Sequence, residues 1–316
     1  MAATNISDLA IVPEVFQEYM EKLIIKNSAF INSGLVVNVP SFDPGKGFVT
    51  NAPAFMGFTG ADEVLSDSVP LTVNAIGSVN SVTPVNARGK SFGANDLVTV
   101  IAGADPLGNL ASKYANYWSR TLNTTAVSAM LGAAAGLDAD YGAGTIINNQ
   151  PTVALSADLI IDTQFLMGEQ ADVLSIFLCH SAVLATLRKN DLTKDIILDS
   201  STNPVTTYQG MRVVVDDTLA PAAGVYPIIL AANAAMVYAD GTNPAVAIEV
   251  DRDILSGDDI VTSRKRYLMH PQGASWKGAA NTFPTNAALA TAANWEATDQ
   301  SQPSAVPFRV LKCLLA

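Results

Sequence analysis

The longest uninterrupted helical pattern in the chain covers residues 105–136 and predicts one long helix, here called the spine helix. Asp105 can cap the first free amides, Pro106 suits the first turn, and Gly136 can end the helix. At about 1.5 Å per residue the helix would be roughly 45 Å long, enough to cross a whole domain. Asn123 and other polar residues lie opposite a side on which apolar residues recur at steps of three and four. The core positions of that apolar side are Leu110, Tyr114, Trp118 and Leu122.

Residues 34–93 have a different pattern, in which frequent proline and glycine leave only short extended runs such as 35–39 and 71–76. A stretch this long without a strong core signal exceeds an ordinary loop, so it is either disordered or a functional hairpin that docks elsewhere. Its spaced aromatic residues favour docking. The contact candidates in this hairpin are Phe42, Phe48, Phe55 and Phe58.

Residues 1–33 predict an N-terminal arm that ends in a short helix. Phe16 and Tyr19 belong to its apolar stripe, which is wide enough to need a partner surface. That surface is either the rest of the same domain or a neighbouring subunit, and the residues themselves leave both alternatives open.

The chain after the spine helix alternates between helical and extended patterns, which indicates an α/β unit. Helices are predicted at 156–167 and at 181–189, the second capped by Ser181. Strands are predicted at 174–179, 208–215, within 226–238, at 245–249 and at 260–270. Residues 272–307 carry little pattern beyond a short helix around 287–295, and we expect surface or contact structure there.

Composition points towards assembly with other protein chains. Charged residues make up only 15% of the 316 residues, below the usual level of about 25%, so much of the surface is expected to be neutral or shared between chains. A net charge of −11 argues against tight binding to nucleic acid, which depends on clustered lysine and arginine. We expect no secretion signal, and the nearly apolar run at 225–239 is too short to span a membrane.

The candidate chemistry is sparse. Cys179 and His180 are adjacent, but successive residues of a strand point to opposite faces, which argues against a nucleophile and its base. Asp216, Asp217 and the series at 251, 253, 258 and 259 lack calcium-loop spacing, so they are interpreted as turn-forming carboxylates. We therefore predict no catalytic, cofactor or metal site. An α/β enzyme that uses Asp216, Asp217 or Cys179 remains the remote alternative.

Several short sequences, in this order and spacing, carry a resemblance to a known family. They are PEV at 13–15, SAFINSG at 28–34, ANDLVTVIAGADP at 94–106, YW at 117–118, YQG at 208–210 running into VVVDD at 213–217, and RKRYLMHPQG at 264–273. With the element order above, the chain resembles the major capsid proteins of tailed double-stranded DNA bacteriophages, which have the Hong Kong 97-type fold. The resemblance extends from about residue 12 to residue 276.

The resemblance implies an α+β fold whose segments have distinct structural roles. Residues 1–33 would be the N-terminal arm along a neighbour, and 34–93 the E-loop, an extended β-hairpin that reaches over an adjacent subunit. Residues 94–155 would form the P-domain with the spine helix, and 156–244 an α/β A-domain around the symmetry axis. Residues 245–276 would be late strands returning to the P-domain, and 277–316 a C-terminal segment.

The same resemblance implies a structural protein that is not an enzyme and carries no cofactor. Hexamers and pentamers of the chain would self-assemble into an icosahedral shell that encloses phage double-stranded DNA without sequence-specific binding. Scaffolding, portal and decoration proteins are the further partners, and the location is the virion after synthesis in the host cytoplasm. An encapsulin-like bacterial compartment shell, which packages enzyme cargo, is the alternative.

Overall fold

The computed structural model describes residues 30, 33–39, 47–56, 60–65, 67, 70–95, 110–190, 194–196, 205–241, 248–253 and 255–315. The described chain is a mixed α+β structure in which two larger sheets carry helices. Its α-helices are α1 (Leu110–Tyr141), α2 (Ala157–Phe165), α3 (Ser181–Lys189) and α4 (Asn286–Leu289). None of the helices in the described part of the chain is both long and apolar enough to span a membrane.

The strands divide between the two larger sheets and a short pair. They are β1 (Val36–Asn38), β2 (Val49–Phe55), β3 (Ser78–Asn95), β4 (Ile147–Ala154), β5 (Leu174–Cys179), β6 (Lys194–Ile196), β7 (Val205–Tyr208), β8 (Met211–Val215), β9 (Val225–Ala232), β10 (Met236–Asp240), β11 (Ile248–Asp253), β12 (Asp258–Pro271), β13 (Ala274–Trp276), β14 (Trp295–Ala297) and β15 (Phe308–Leu314).

The first sheet is built around β12 and carries α1 on one face. Its strand order is β1–β10–β12–β3–β2, and β11 also pairs with β12. Because side chains alternate along a strand, Val261, Ser263 and Tyr267 share the face that meets α1, and all three are buried. The strand predicted at 260–270 is confirmed, since it lies within β12.

The second sheet has the order β4–β15–β9–β5–β8–β7–β6 and mixes parallel with antiparallel pairs. Strand 174–179 is confirmed as β5, and the helices predicted at 156–167 and 181–189 are confirmed as α2 and α3. The N-cap of α3 was predicted wrongly. His180, not Ser181, accepts the capping hydrogen bond, which the Ala182 N–H donates to its Nδ1 at 3.0 Å.

Two stretches that were each predicted as one strand form two strands each in the structure. Residues 208–215 were predicted as one strand, but β7 ends and β8 begins on either side of Gln209 and Gly210, which have φ of 48° and 83°. These left-handed conformations form a tight hairpin turn. The apolar run 226–238 also divides, because Ala234 has φ of 60° and the chain leaves the second sheet as β9 and enters the first as β10.

The spine helix α1 does not end where the sequence predicted. It continues through Gly136 to Tyr141, and Gly142, with φ of 103°, lies immediately after it. Gly136 and Gly132 instead permit close packing. A Cβ at Gly132 would lie 1.9 Å from the Leu289 carbonyl oxygen, and one at Gly136 would lie 2.8 Å from Trp295 Cβ. The predicted Asp105 cap lies outside the described residues.

The C-terminal residues form a strap against α1, defined here as residues 286–297. Surface or contact structure was expected for 272–307, and in this part the contact is with α1 of the same chain, because Leu289 is 0% and Trp295 is 2% exposed. The Trp295 indole donates a hydrogen bond to the Leu289 carbonyl at 2.7 Å. Beyond the strap, β15 lies between β4 and β9 inside the second sheet.

Candidate assembly surfaces

Residues 56–77 connect β2 to β3 and are here called the hairpin tip. The β2–β3 ladder ends at Phe55↔Ser78, and the run at 71–76 has no regular structure and no partner strand in the described chain. Large apolar side chains of the tip are exposed to solvent. Their exposed fractions are Val64 93%, Leu65 79%, Leu71 56%, Val73 95% and Ile76 64%. Grouped exposed apolar side chains on one segment mark an interaction surface.

The aromatic contact candidates fall into two groups. Phe48 is 39% exposed, and its ring centroid lies 4.7 Å from that of Phe283, so more than half of its surface is already covered within the same chain. The backbone of Phe55 belongs to β2, while its side chain lies outside what the structure describes. Phe16, Tyr19, Phe42 and Phe58 also lie outside the described residues.

The spine helix residues are held within the chain. Tyr114, Trp118 and Leu122 are each 1% exposed. The Tyr114 hydroxyl donates to the Val261 carbonyl at 2.5 Å, and the Trp118 indole donates to Ser263 Oγ at 2.9 Å. These bonds satisfy the polar atoms of two large rings that would otherwise be costly to bury. The Leu110 side chain lies outside the described part.

Asn123 was predicted on the polar side of the helix, opposite the core, but the structure buries it. It is 6% exposed, and its Nδ2 donates to Asp216 Oδ2 at 2.7 Å. The other Asp216 oxygen accepts the Thr218 N–H at 2.8 Å, which is the geometry of a turn-forming carboxylate. Asp216 therefore ties the turn after β8 to α1.

The sequence pair Cys179–His180 is not arranged as a nucleophile and its base. Cys179 is fully buried, and burial raises the pKa of its thiol to about 12, which opposes formation of the reactive thiolate. His180 Nδ1 is occupied in capping α3, while its Nε2 lies 3.6 Å from Asp217 Oδ1. The Ser181 side-chain and backbone hydrogen bonds lower the pKa of Asp217. These groups stabilise the start of a helix.

The predicted acidic series lies in the hairpin between β11 and β12. Asp253 Oδ1 accepts the Leu255 N–H at 3.0 Å, which closes the turn, and Asp259 Oδ1 lies 3.4 Å from Arg252 Nη1. Among the described residues, no group of three histidine, cysteine, aspartate or glutamate side chains is placed to hold a metal ion.

A cationic groove of about 600 Å³ lies where β3 and β12 run side by side. Five of its ten described lining residues are cations and the other five are neutral. The cations are Arg88, Lys90, Arg264, Lys265 and Arg266. The RKR run at 264–266 is visible in the sequence, but Arg88 and Lys90 lie beside it only because β3 pairs with β12, and no local pattern specifies that pairing.

Comparisons with known proteins agree on one family. The sequence model of the Gp13-like family, described as major capsid protein 13-like, matches residues 103–305. The major capsid protein of Bacillus phage SPP1 is 30% identical over 308 residues, which cover 94% of this chain and 94% of that protein.

Solved structures give the same result for the fold. The cyanophage Pam1 capsid asymmetric unit is similar with a TM-score of 0.56 at 12% identity, covering 92% of each chain. The capsid of a native GTA particle has a TM-score of 0.52 at 12% identity, covering 91% of this chain and 90% of that one. The described chain thus has the Hong Kong 97-type capsid fold. Since the family model spans more than half of its residues and the SPP1 protein resembles it along nearly its whole length, the chain belongs to the major capsid protein 13-like family.

Proposed function

We propose that this major capsid protein builds its icosahedral shell from hexamers and pentamers of itself, with each hairpin tip packed on a neighbouring copy. The observation that carries the proposal is the exposure of large apolar side chains on the tip, of which Val64 and Val73 are 93% and 95% exposed. At about 25 cal/mol per Å² of buried apolar area, covering them in an assembly is favourable.

The segment roles follow from the same proposal. Residues 34–93 act as the E-loop and 1–33 as an arm along a neighbour, with Phe16, Tyr19, Phe42, Phe48, Phe55 and Phe58 as contact residues. Residues 94–155 and 245–276 act as the P-domain, and 156–244 as the A-domain at the symmetry axis. Support comes from burial: α1 is held by side chains of its own chain, whereas the tip has large apolar side chains turned to solvent.

The shell encloses double-stranded DNA without reading its sequence, and the chain acts without a catalytic site. The net charge of −11 supports enclosure of DNA without tight binding, because binding to phosphates depends on clustered cations and an acidic surface weakens it. Scaffolding, portal and decoration proteins join the shell as separate chains, and synthesis takes place in the host cytoplasm.

Electron microscopy and size-exclusion chromatography of the purified chain test this proposal. We expect capsomers or closed shells that show five-fold and six-fold clusters. A chain that stays a 33.0 kDa monomer under all assembly conditions contradicts it. The contents of native particles provide the second test, since a DNA genome supports a virion and a protein cargo supports a bacterial compartment instead.

A further inference from the structure

The surface formed by the end of β3 and the first half of α1 is positively charged. Residues 70–95 and 110–137 contain four cations and neither aspartate nor glutamate, although the whole chain has a net charge of −11. The cations are Arg88, Lys90, Lys113 and Arg120. None of them forms an ion pair with a carboxylate of the described residues. Arg88 is partly buried and donates to Asn286 Oδ1 at 3.1 Å, whereas the other three are exposed.

The solvent side of α1 contributes two of the exposed cations. Lys113, Asn116 and Arg120 follow one another at steps of three and four, so they share one side of the helix, and all three are exposed. Tyr117 lies between the two cations on the same side and is partly buried. At about 1.5 Å per residue, Lys113 and Arg120 are roughly 10 Å apart along the helix axis.

Strand β3 brings the third exposed cation to the same place. Lys90 and Phe92 are two residues apart, so they share a face of the sheet, and it is the face that meets α1. The Lys90 ammonium lies 5.8 Å from the centroid of the Phe92 ring. That ring meets Tyr117 of α1 edge to face, with the two centroids 6.1 Å apart. The three exposed cations therefore form one surface, here called the α1 cationic patch, of Lys90, Lys113 and Arg120.

The three remaining cations of the groove between β3 and β12 do not belong to this patch. Since side chains alternate along β12, Arg264 and Arg266 point to the opposite face of the sheet from Lys90. Lys265 shares the face of Lys90, but it forms an ion pair with Asp240 at 2.7 Å. The patch thus consists of exposed cations whose charge no carboxylate of the described chain balances.

Unpaired, exposed cations in a row fit the phosphates of a nucleic acid. Lysine and arginine that neutralise phosphates release the counterions of the nucleic acid, which favours binding without any contact to the bases. The phosphates of one DNA strand recur about every 3.4 Å along the axis, so the separation of Lys113 and Arg120 corresponds to about three base-pair steps. Because the patch has only three cations in an acidic chain, the contact is local and weak.

We propose that the α1 cationic patch binds the sugar–phosphate backbone of double-stranded DNA. This inference rests on the proposed function, in which the shell encloses DNA, and names the surface of each copy that contacts it. Three phosphate contacts give a slope of about −2.7 for the logarithm of the binding constant against the logarithm of the salt concentration. Binding is therefore sensitive to salt and indifferent to base sequence.

Binding of a DNA duplex of about 30 base pairs to the full-length chain tests the proposal. Fluorescence anisotropy from about 50 to about 200 mM NaCl gives the salt slope. Lys113→Gln with Arg120→Gln should lower the slope by about two and weaken binding by about tenfold or more at the lowest salt concentration. Lys189→Gln with Lys277→Gln is the matched control, because it removes the same charge at exposed cations elsewhere and should keep the slope.

A second variant, Lys90→Gln with Lys113→Gln, should have the same effect as the first, because it also removes two of the three cations. Circular dichroism checks that each variant is folded. No binding by the wild-type chain at low salt, or equal salt slopes in the patch and control variants, overturns the proposal. So does a patch variant that loses binding to poly-glutamate but keeps its binding to DNA, since the patch would then receive an acidic protein segment.

The binding assay uses unassembled chain and so separates this inference from the proposed function. A chain that binds DNA through the patch but never forms shells would refute the proposed function and keep the inference. Shells that form normally from a chain whose DNA binding does not depend on the patch would refute the inference alone.

Discussion

The spine helix and the hairpin tip place similar apolar residues in opposite surroundings. On α1, Trp118 is 1% exposed and donates a hydrogen bond to Ser263, while on the tip Val73 is 95% exposed. The helix finds its partner surfaces within the chain, in β12 and the strap. The tip has none in the described part, which is why we assign its partner to another copy. The comparison separates residues that stabilise the fold from residues that we propose to stabilise the assembly.

The two regions also differ in how closely the backbone approaches its neighbours. Gly132 and Gly136 let α1 come so near to the strap that an added Cβ at either position would overlap its atoms. In the tip, a Cβ added at Gly60 meets nothing within 4 Å, and one added at Gly77 would lie 2.9 Å from Sδ of the flexible Met56 side chain. Changes of side-chain volume are therefore expected to be costly where the helix meets the strap, and to have little effect on folding at the exposed apolar positions of the tip.

The largest expected effect is from Trp118→Asp. The carboxylate would replace a ring that is 1% exposed between the helix and β12, and burying a charge at such a position is very costly. We expect loss of soluble folded chain, measured by expression and circular dichroism. Asn116→Asp, at an exposed position of the same helix, is the control and should fold. If Trp118→Asp is soluble and unfolds cooperatively, Trp118 does not belong to the buried face of the helix.

His270 connects the hairpin root to the residues before the strap and should make stability depend on pH. Its Nε2 donates to the Ala274 carbonyl at 2.8 Å and lies 3.4 Å from Ser81 Oγ, and burial lowers the pKa of the ring from 6.5 to about 4. The unfolded chain takes up the proton first as pH falls from 6.5 to 4, so stability is lost across that window. A shift of this size corresponds to about 3 kcal/mol.

Urea unfolding at a series of pH values measures this dependence. His270→Gln should remove the fall in the free energy of unfolding between pH 6.5 and 4. His180→Gln is the control, and its free energy of unfolding should still fall across that range. If the free energy of unfolding of His270→Gln still falls across this pH range, His270 is not the group responsible, and its imidazole is not held in the neutral form by burial.

Gly132→Ala should destabilise the chain by roughly 2 kcal/mol, because overpacking against the Leu289 carbonyl outweighs the gain of about 1 kcal/mol in helix propensity. Thermal unfolding measures the change. Ala139→Leu, at an exposed position of α1, should leave stability nearly unchanged. A more stable Gly132→Ala protein would show that the strap is loosely packed on the helix.

The smallest effect on folding is expected at the tip. Replacing Val64, Leu65 and Val73 by serine removes exposed side chains only, so the free energy of unfolding should change by about 0.5 kcal/mol or less. Assembly should nevertheless fail, as measured by size exclusion. Val153→Ser, which shortens a 40% exposed side chain on β4, should assemble normally. If the tip variant loses stability as well as assembly, the tip contributes to the core of its own chain.

Sequence reasoning works where burial follows a local period. The positions of Tyr114, Trp118 and Leu122 follow from helical spacing, and strand 260–270 follows from alternation. It fails at Gly136, where glycine serves packing instead of ending the helix, and in the strap, where Leu289 and Trp295 are buried without any repeating pattern. The groove depends on the register of strands that are far apart in sequence, so no local signal specifies it.

The most direct test is a cryo-electron microscopy map of particles assembled from the wild-type chain, at a resolution that shows side chains. The account predicts that residues 56–77 of each copy pack on a neighbouring copy, where the Val64 and Val73 side chains become covered. Closed shells in which the tip contacts only its own chain or solvent would contradict that account.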